Sequence, residues 1–285
     1  MVSPTTSTES SASGAFGTPS GPFGDLYIEW SGPPDAPGVV ILHGWGSSAE
    51  MMRILADALA PTHRVANVDL PGHGRAGIPQ EPIGVAAHAE RVATLIRERF
   101  DSPVSIIGHS NGGRIALFMA SDETISPLIS SLVLIAPSGV KPRRKPSFYL
   151  KKYTARILKL PFSILPGRLR EFGLDWLRHS LVWRALGSSD YRRLSGVMRD
   201  TFVKTVTHHL DDRLDDIRVP TLVFRGDLDQ DVSQYQISVL ESRIPDAGVV
   251  MLKSAGHYAH LDDPQTVILA TRHFLSTPSP GESQE

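Results

Sequence analysis

The fold of this chain is decided by residues 104–121, which read VSIIGHSNGGRIALFMAS. Residues 104–108 form an apolar run typical of a buried strand, and residues 112–121 are typical of a helix. A Gly-x-Ser-x-Gly sequence lies between them. At a strand-to-helix junction this sequence predicts a tight, strained turn that lifts the serine hydroxyl clear of the backbone, because side chains on the flanking glycines would collide with neighbouring chain. Ser110 is therefore the candidate nucleophile.

The same alternation of strand and helix continues on both sides of this turn. Runs rich in Val, Ile and Leu predict buried strands at 39–43, 65–70, 104–108, 132–136, 221–225 and 249–252. Helical patterns fall between them at 49–60, 85–100, 112–121, 232–243 and 264–275. An antiparallel edge strand is expected at 27–30. Strands that are apolar on both faces, alternating with helices, predict an α/β protein with a mostly parallel, doubly wound sheet.

The alternation is interrupted between residues 141 and 216, which contain helical patterns but no strand-like run. Ordinary loops have about 4–6 residues, so an insertion of this length predicts a helical cap. Both ends of the chain are rich in Ser, Gly and Pro and are expected to be disordered. The expected parts are a tail at 1–24, core segments at 25–140 and 217–276 around the cap at 141–216, and a tail at 277–285.

Composition excludes several classes of site and partner. The 285 residues include no cysteine, which excludes disulfides, thiolate metal sites and a cysteine nucleophile. A formal net charge of -1 gives no general attraction to nucleic acid. No apolar run approaches the roughly 18 residues of a membrane span, and the first residues lack the apolar segment of a secretory signal. We therefore expect a cytoplasmic protein, with no transmembrane segment, that acts on a small molecule and binds no nucleic acid.

A serine hydroxyl is a weak nucleophile unless a general base takes its proton. His257 comes directly after the predicted strand 249–252 and follows a glycine, so it is expected at the carboxyl edge of the sheet beside Ser110. His260 is the nearest rival, but its distance from the strand end suits packing or helix capping. His257 is therefore the predicted base.

The acid that orients this base is expected on the turn after strand 221–225, where Asp227, Asp229 and Asp231 stand close together. A buried carboxylate at such a position fixes the tautomer of the imidazole and stabilises the imidazolium. Asp231 also suits the N-cap of the helix that follows. Spacing alone does not select one of the three.

The chain resembles the α/β-hydrolase fold family over about residues 27–275. Four motifs in one order carry the resemblance, namely HGWG at 43–46, DLPGHG at 69–74, GHSNGG at 108–113 and GH at 256–257. In relatives the acid lies three residues after the glycine that ends its strand, so the resemblance selects Asp229. It also implies that the helical cap is inserted after the sixth strand of the fold and lies over the active site.

The resemblance implies a serine hydrolase of the carboxylesterase type, with a Ser110–His257–Asp229 triad and an acyl-enzyme intermediate. The family's oxyanion hole consists of two backbone N–H groups, which correspond here to those of Trp45 and Asn111. No metal and no cofactor is implied.

Other functions of this fold stay open. Haloalkane dehalogenases and epoxide hydrolases place Asp where Ser110 stands, which excludes them. Carbon–carbon bond hydrolases of the meta-cleavage type share the triad but often carry Asn at the position of His109. A thioesterase that acts on an acyl carrier and a non-catalytic, ligand-binding protein are the remaining alternatives.

Residues 141–170 contain ten Lys or Arg and no Asp or Glu, with apolar residues interleaved at helical spacing. One interpretation is a helix with a solvated basic face and an apolar face on the core. The other is a guide for an anionic acyl carrier or a membrane surface.

Overall fold

A computed structural model of the chain describes residues 26–143, 153–154, 194 and 196–276. Its strands are β1 (Tyr27–Ser31), β2 (Gly38–Leu42), β3 (Arg64–Asp69), β4 (Val104–His109), β5 (Ile129–Ile135), β6 (Thr221–Gly226) and β7 (Ala247–Leu252). Its helices are α1 (Ala49–Leu59), α2 (Val85–Arg99), α3 (Asn111–Ala120), α4 (Gly196–Val206), α5 (Gln234–Arg243), α6 (Ala259–Asp262) and α7 (Pro264–Ser276). Short 3-10 helices lie at Ser126–Leu128 and Asp211–Asp216.

The seven strands form one sheet in the order β1-β3-β2-β4-β5-β6-β7. Strand β1 pairs antiparallel with β3, and all the other neighbouring strands are parallel. The predicted sheet, including its antiparallel edge strand, is confirmed. The five helices predicted between the strands are present as α1, α2, α3, α5 and α7, each displaced by no more than a few residues.

Both faces of the sheet are buried, and successive residues of a strand therefore enter different cores. In β2, Val40 and Leu42 pack with α2, α3 and α5 on one face. Val39 and Ile41 pack with α1 and α7 on the other face. This period of two explains why the central strands are continuous apolar runs rather than alternating ones.

Helix α4 belongs to the segment predicted as a cap, and it is tied to the core by hydrogen bonds. The hydroxyl of Thr201 accepts a hydrogen bond from the Ile83 N–H at 3.2 Å. The guanidinium of Arg114, a buried residue of α3, donates to the carbonyl of Thr205. These contacts hold α4 against the loop before α2 and against α3, the helix that follows Ser110.

The segment 141–216 follows β5, which is the fifth strand in chain order, where a sixth was expected. Among the described residues, β1 is the only strand before β2, so the strand that precedes this segment is the fifth in the chain and not the sixth. Most of the basic stretch 141–170 and both predicted tails lie outside the described residues. Among the helices that are described, none has the length and apolar character needed to cross a bilayer.

Substitution of a buried residue of the central strand β4 tests the contribution of the core to the free energy of unfolding. Ile107 is fully buried, whereas Ile78 is 69% exposed. We expect Ile107→Ala to lower the free energy of unfolding by about 2–5 kcal/mol, because it removes buried apolar surface and leaves a cavity. Ile78→Ala, the matched control, should change it by less than about 0.5 kcal/mol. Urea unfolding measures both, and equal losses would contradict the assigned core.

Candidate active site

The candidate site lies where the order of strands reverses in the sheet. The chain passes from β2 to β3 on one side and then returns to place β4 on the other side of β2. The loop after β2 carries Trp45, and the turn after β4 carries Ser110. In open α/β sheets, ligands bind at the carboxyl ends of the strands beside such a reversal. The two segments that the sequence singled out therefore meet at the expected edge.

Ser110 has an unusual backbone conformation, with φ 50° and ψ -106°. Its N–H donates to the carbonyl of Ile135 at 3.0 Å, which ties the turn to the end of β5. Its own carbonyl accepts the N–H groups of Arg114 at 3.1 Å and Ser138 at 3.0 Å. A positive φ at a residue with a side chain costs free energy, of the order of 1–3 kcal/mol, and persists only where the surroundings enforce it. Here three backbone hydrogen bonds do so.

Two glycines of this turn have no room for a side chain. A β-carbon on Gly108 would lie 2.7 Å from the backbone of Gly112. A β-carbon on Gly112 would lie 2.1 Å from the carbonyl oxygen of Leu42, the last residue of β2. The collision expected from the sequence is therefore present on both sides of Ser110.

The loop after β7 folds back over the end of β6. The carbonyl of Ala255 accepts the N–H of Leu228 at 2.9 Å. A β-carbon on Gly226 would lie 2.1 Å from that same carbonyl oxygen, so the loop crosses at this height only because residue 226 is glycine. Ser254, with φ 59°, makes the turn. This path carries His257 from the edge of the sheet back towards the end of β4.

Of the three side chains selected from the sequence, His257 lies within hydrogen-bonding distance of both Ser110 and Asp229. His257 Nε2 is 3.0 Å from Ser110 Oγ. His257 Nδ1 is 3.1 Å from Asp229 Oδ2. An ionised carboxylate can only accept, so Nδ1 carries the ring proton and the lone pair of Nε2 faces the serine hydroxyl. This is the tautomer needed to accept a proton from Ser110.

Asp229 is held in place by the backbone of its own turn. Its Oδ1 accepts the N–H groups of Asp231 at 2.8 Å and Val232 at 3.0 Å, and its side chain is buried. Burial favours a higher pKa for Asp229, but the hydrogen bonds from His257 and from these two N–H groups outweigh it and lower the pKa below the usual value. The carboxylate therefore stays ionised beside the imidazole.

The two neighbouring carboxylates do not take this place. Asp227 and Asp231 are exposed, so only Asp229 of the three is directed into the protein. Asp229, Asp231 and His257 each have a possible metal-ligand atom within 4.8 Å of the others. Both oxygens of Asp229 already accept hydrogen bonds. The pairing of Asp229 with His257 explains why these side chains lie close together.

The expectation that Asp231 suits the N-cap of the next helix is wrong. Helix α5 begins at Gln234, two residues later than predicted, and its N-cap is Ser233. Ser233 and Gln236 form a reciprocal capping box, in which Gln236 accepts the Ser233 N–H at 3.0 Å. This pair satisfies the helix start without Asp231.

The loop after β2 is fixed by buried polar groups. His43 accepts the Leu70 N–H on Nε2 at 3.0 Å, and its Nδ1 lies 2.7 Å from the Gly44 carbonyl. Burial lowers the pKa of His43 to about 4, so the ring is neutral. These contacts give His43 a structural role in the loop. The side chain of Trp45 packs against Phe202 of α4, with 5.1 Å between the ring centroids.

Two further residues support this region and were not selected as site residues from the sequence. Asp69 Oδ1 accepts the N–H of Ala49 at 2.6 Å, at the start of α1. Its Oδ2 accepts the N–H of Arg75 at 2.9 Å. His109, directly before Ser110, lies with its Nε2 3.0 Å from the carbonyl of His257. Asp69 stands within the DLPGHG motif, but a bond from His109 to a loop 148 positions away has no local sequence signal.

Comparison with known proteins agrees with the fold. A sequence model of the α/β-hydrolase fold matches residues 37–264. This chain belongs to the α/β-hydrolase fold family. The α/β hydrolase is similar to the magnesium-chelatase 30 kDa subunit of Rhodobacter capsulatus, with 34% identity over 106 residues, 37% of each chain.

A second relative aligns over far more of its length. The pimeloyl-acyl-carrier-protein methyl ester esterase of Aeromonas hydrophila is 27% identical over 257 residues, covering 84% of this α/β hydrolase and 95% of the relative. Among solved structures, a membrane phospholipase A superposes with a TM-score of 0.67 at 23% identity, over 88% of this chain and 82% of its own. That similarity supports the fold.

Buried neutral histidines predict that stability falls in mild acid. Burial lowers the pKa of His43 and of His260 to about 4 and that of His88 to about 3, and it lowers the pKa of His109 well below 6.5. Their contribution to stability is therefore complete above pH 6.5 and is lost as the pH falls towards 4, because the unfolded chain binds the protons first. Each such proton contributes about 1.4 kcal/mol per pH unit.

His88 provides the test, because neither of its ring nitrogens has a hydrogen-bond partner in the described structure. We expect His88→Leu to reduce the slope of unfolding free energy between pH 6 and 4.5 by about 1.4 kcal/mol per pH unit. Urea unfolding across this range measures the slope. An unchanged slope would mean that His88 is not held neutral by the fold.

Proposed function

We propose that this α/β hydrolase cleaves a carboxylic ester with Ser110 as nucleophile, His257 as general base and Asp229 as the acid that orients the base. One observation carries the proposal: a single imidazole lies 3.0 Å from the serine hydroxyl on one nitrogen and 3.1 Å from a buried carboxylate on the other. A hydroxyl, a base and an orienting acid in this order are what nucleophilic catalysis requires.

The reaction follows from the proton positions. His257 Nε2 takes the hydroxyl proton as Ser110 Oγ bonds to the carbonyl carbon, and the imidazolium is stabilised by Asp229. His257 then returns the proton to the leaving alcohol, and an acyl-enzyme remains on Ser110. Water, deprotonated by the same nitrogen, then attacks the acyl carbon. The bond from that carbon to Ser110 Oγ breaks, Oγ takes the proton back from His257, and the acid is released.

The negative charge of the tetrahedral intermediate needs hydrogen-bond donors, and we infer that the N–H groups of Trp45 and Asn111 supply them. Asn111 is the first residue of α3, and the first N–H groups of a helix have no acceptor within the helix. The positive end of the helix dipole also lies there. A donor of this kind contributes about 3 kcal/mol to transition-state stabilisation.

An ester is the substrate class we favour. The relative from Aeromonas hydrophila, which aligns over 95% of its length, is named as a methyl ester esterase, and this supports ester chemistry. Thioester hydrolysis and carbon–carbon bond cleavage would use the same three side chains and stay as alternatives. The helical cap over the site, the role of residues 141–170 towards an anionic carrier or membrane and the cytoplasmic location stay predictions.

Labelling by a fluorophosphonate probe tests the nucleophile. We expect the wild-type protein to form a covalent adduct, because the probe reacts with serines activated by a neighbouring base. Ser110→Ala should abolish labelling, while Ser242→Ala, at an exposed serine of α5, should leave it intact. A wild-type protein that resists the probe, under conditions that label other esterases, would support the non-catalytic alternative.

The three aspartates test the acid. Asp229→Asn should lower kcat for an aryl ester by about 10³–10⁴-fold, because an amide cannot stabilise the imidazolium and favours the wrong tautomer. Asp227→Asn and Asp231→Asn are matched controls of the same chemistry in the same turn, and each should stay within about threefold of wild type, since both side chains are exposed. Steady-state kinetics decide, and a large loss in a control with none in Asp229→Asn would reassign the acid.

A further inference from the structure

His109 lies at the centre of the candidate site without belonging to the proposed triad. Its side chain is only 1% exposed, and its Nε2 is 3.0 Å from the backbone carbonyl of His257. A carbonyl oxygen only accepts hydrogen bonds, so Nε2 must carry the proton. His109, directly before Ser110, therefore donates a hydrogen bond to the backbone of His257.

The opposite side of the His109 ring contacts the loop after β2. His109 Nδ1 is buried and has no hydrogen-bond partner among the described residues. A β-carbon on Gly44 would lie 2.8 Å from this nitrogen, so Gly44 leaves space for the ring. His109 thus contacts the segment of Trp45 on one side and the loop of His257 on the other.

The charge state of the ring suits a single donated bond. Burial, together with the neighbouring rings of His260 and His257, keeps the pKa of His109 well below its usual value. A neutral ring with its proton on Nε2 has one donor, and that donor is used on the His257 carbonyl.

The loop that carries His257 needs such an anchor. On one side of His257, the N–H of Gly256 donates to Asp262 at 2.7 Å. The contact that fixes the peptide carbonyl of His257 itself is the one from His109. Since the imidazole must meet Ser110 and Asp229 at once, a small shift of its backbone would loosen both contacts. A displacement of about 1 Å can lower a catalytic rate about 10²-fold.

We propose that His109 is a positioning residue, whose Nε2–H hydrogen bond to the His257 carbonyl holds the base in register with Ser110. This inference rests on the proposed hydrolase function and extends it to a residue outside the triad. It assigns His109 no contact with substrate.

Near-isosteric substitutions separate the hydrogen bond from the packing. In His109→Gln, the amide Nε2 is as many bonds from the backbone as the imidazole Nε2 and can donate to the same carbonyl. His109→Met has the same length and no donor. His109→Asn keeps an amide that is one bond too short to reach, and it serves as a second donor-deficient variant if the Met variant does not fold.

Two rates measured on each folded variant test the proposal. These are the first-order rate of fluorophosphonate reaction at saturating probe and kcat for an aryl ester. We expect His109→Met and His109→Asn to lower both by about 10–100-fold with KM nearly unchanged, because the chemical step and not binding is affected. In His109→Gln, both rates should be within about threefold of wild type, because the amide restores the hydrogen bond.

His260 provides a matched control for buried histidine loss. It is also fully buried and contacts the His109 ring, with 4.9 Å between centroids, but its Nε2 bonds to the carbonyl of Met51. His260→Met should lower the melting temperature as His109→Met does, while both rates stay within about threefold of wild type.

The outcomes separate the two proposals. If the wild-type protein reacts and His109→Met and His109→Asn react equally fast, the positioning role is contradicted but the proposed function is not. Equal losses in the Gln and Met variants also contradict it, because they would reflect ring packing rather than the donor. A wild-type protein that does not react at all contradicts the proposed function itself.

Discussion

The backbone of Ser110 is the constraint on which the site depends. A strand ends and a helix begins on either side of this one residue, with no loop between them, and its φ of 50° makes that change of direction. The conformation is unfavourable for a residue with a side chain. It is enforced by the hydrogen bond to Ile135 and by glycines 108 and 112, where no β-carbon fits. The hydroxyl therefore stands at the carboxyl edge of the sheet, at the start of a helix.

The parallel strands place Asp229 and His257 at the same edge of the sheet as Ser110. The loops after β6 and β7 then bring their side chains together. Asp229 follows β6 and His257 follows β7, which lie two and three strands away from β4. Neighbouring strands are about 4.8 Å apart, so the base must return over roughly 14 Å of sheet. The loop that makes this return passes directly over Gly226. The close approach at that glycine therefore lets the loop bring His257 to Ser110.

Much of this arrangement follows from local sequence. Apolar runs and turn residues predicted the sheet, the turn at Ser110 and the position of His257 beside it, because each depends on neighbours in the chain. The proposed acid did not follow from spacing, because three aspartates share one turn. The family resemblance selected Asp229, and in the structure burial separates it from the other two. The N-cap prediction for Asp231 was wrong because a Ser–Gln pair competes more effectively for the helix start. The bond from His109 to the loop of His257 is purely tertiary.

Asp229 is ionised, and the buried rings of His43 and His109 near the site are neutral. In the proposed reaction, acyl transfer passes through a covalent ester on Ser110. Rapid mixing with an activated aryl ester, acid quench, digestion and mass spectrometry test it most directly. We expect an acyl group on the peptide that contains Ser110, formed at the rate of the initial burst of alcohol. Turnover with no adduct, or with the acyl group on another residue, would contradict it.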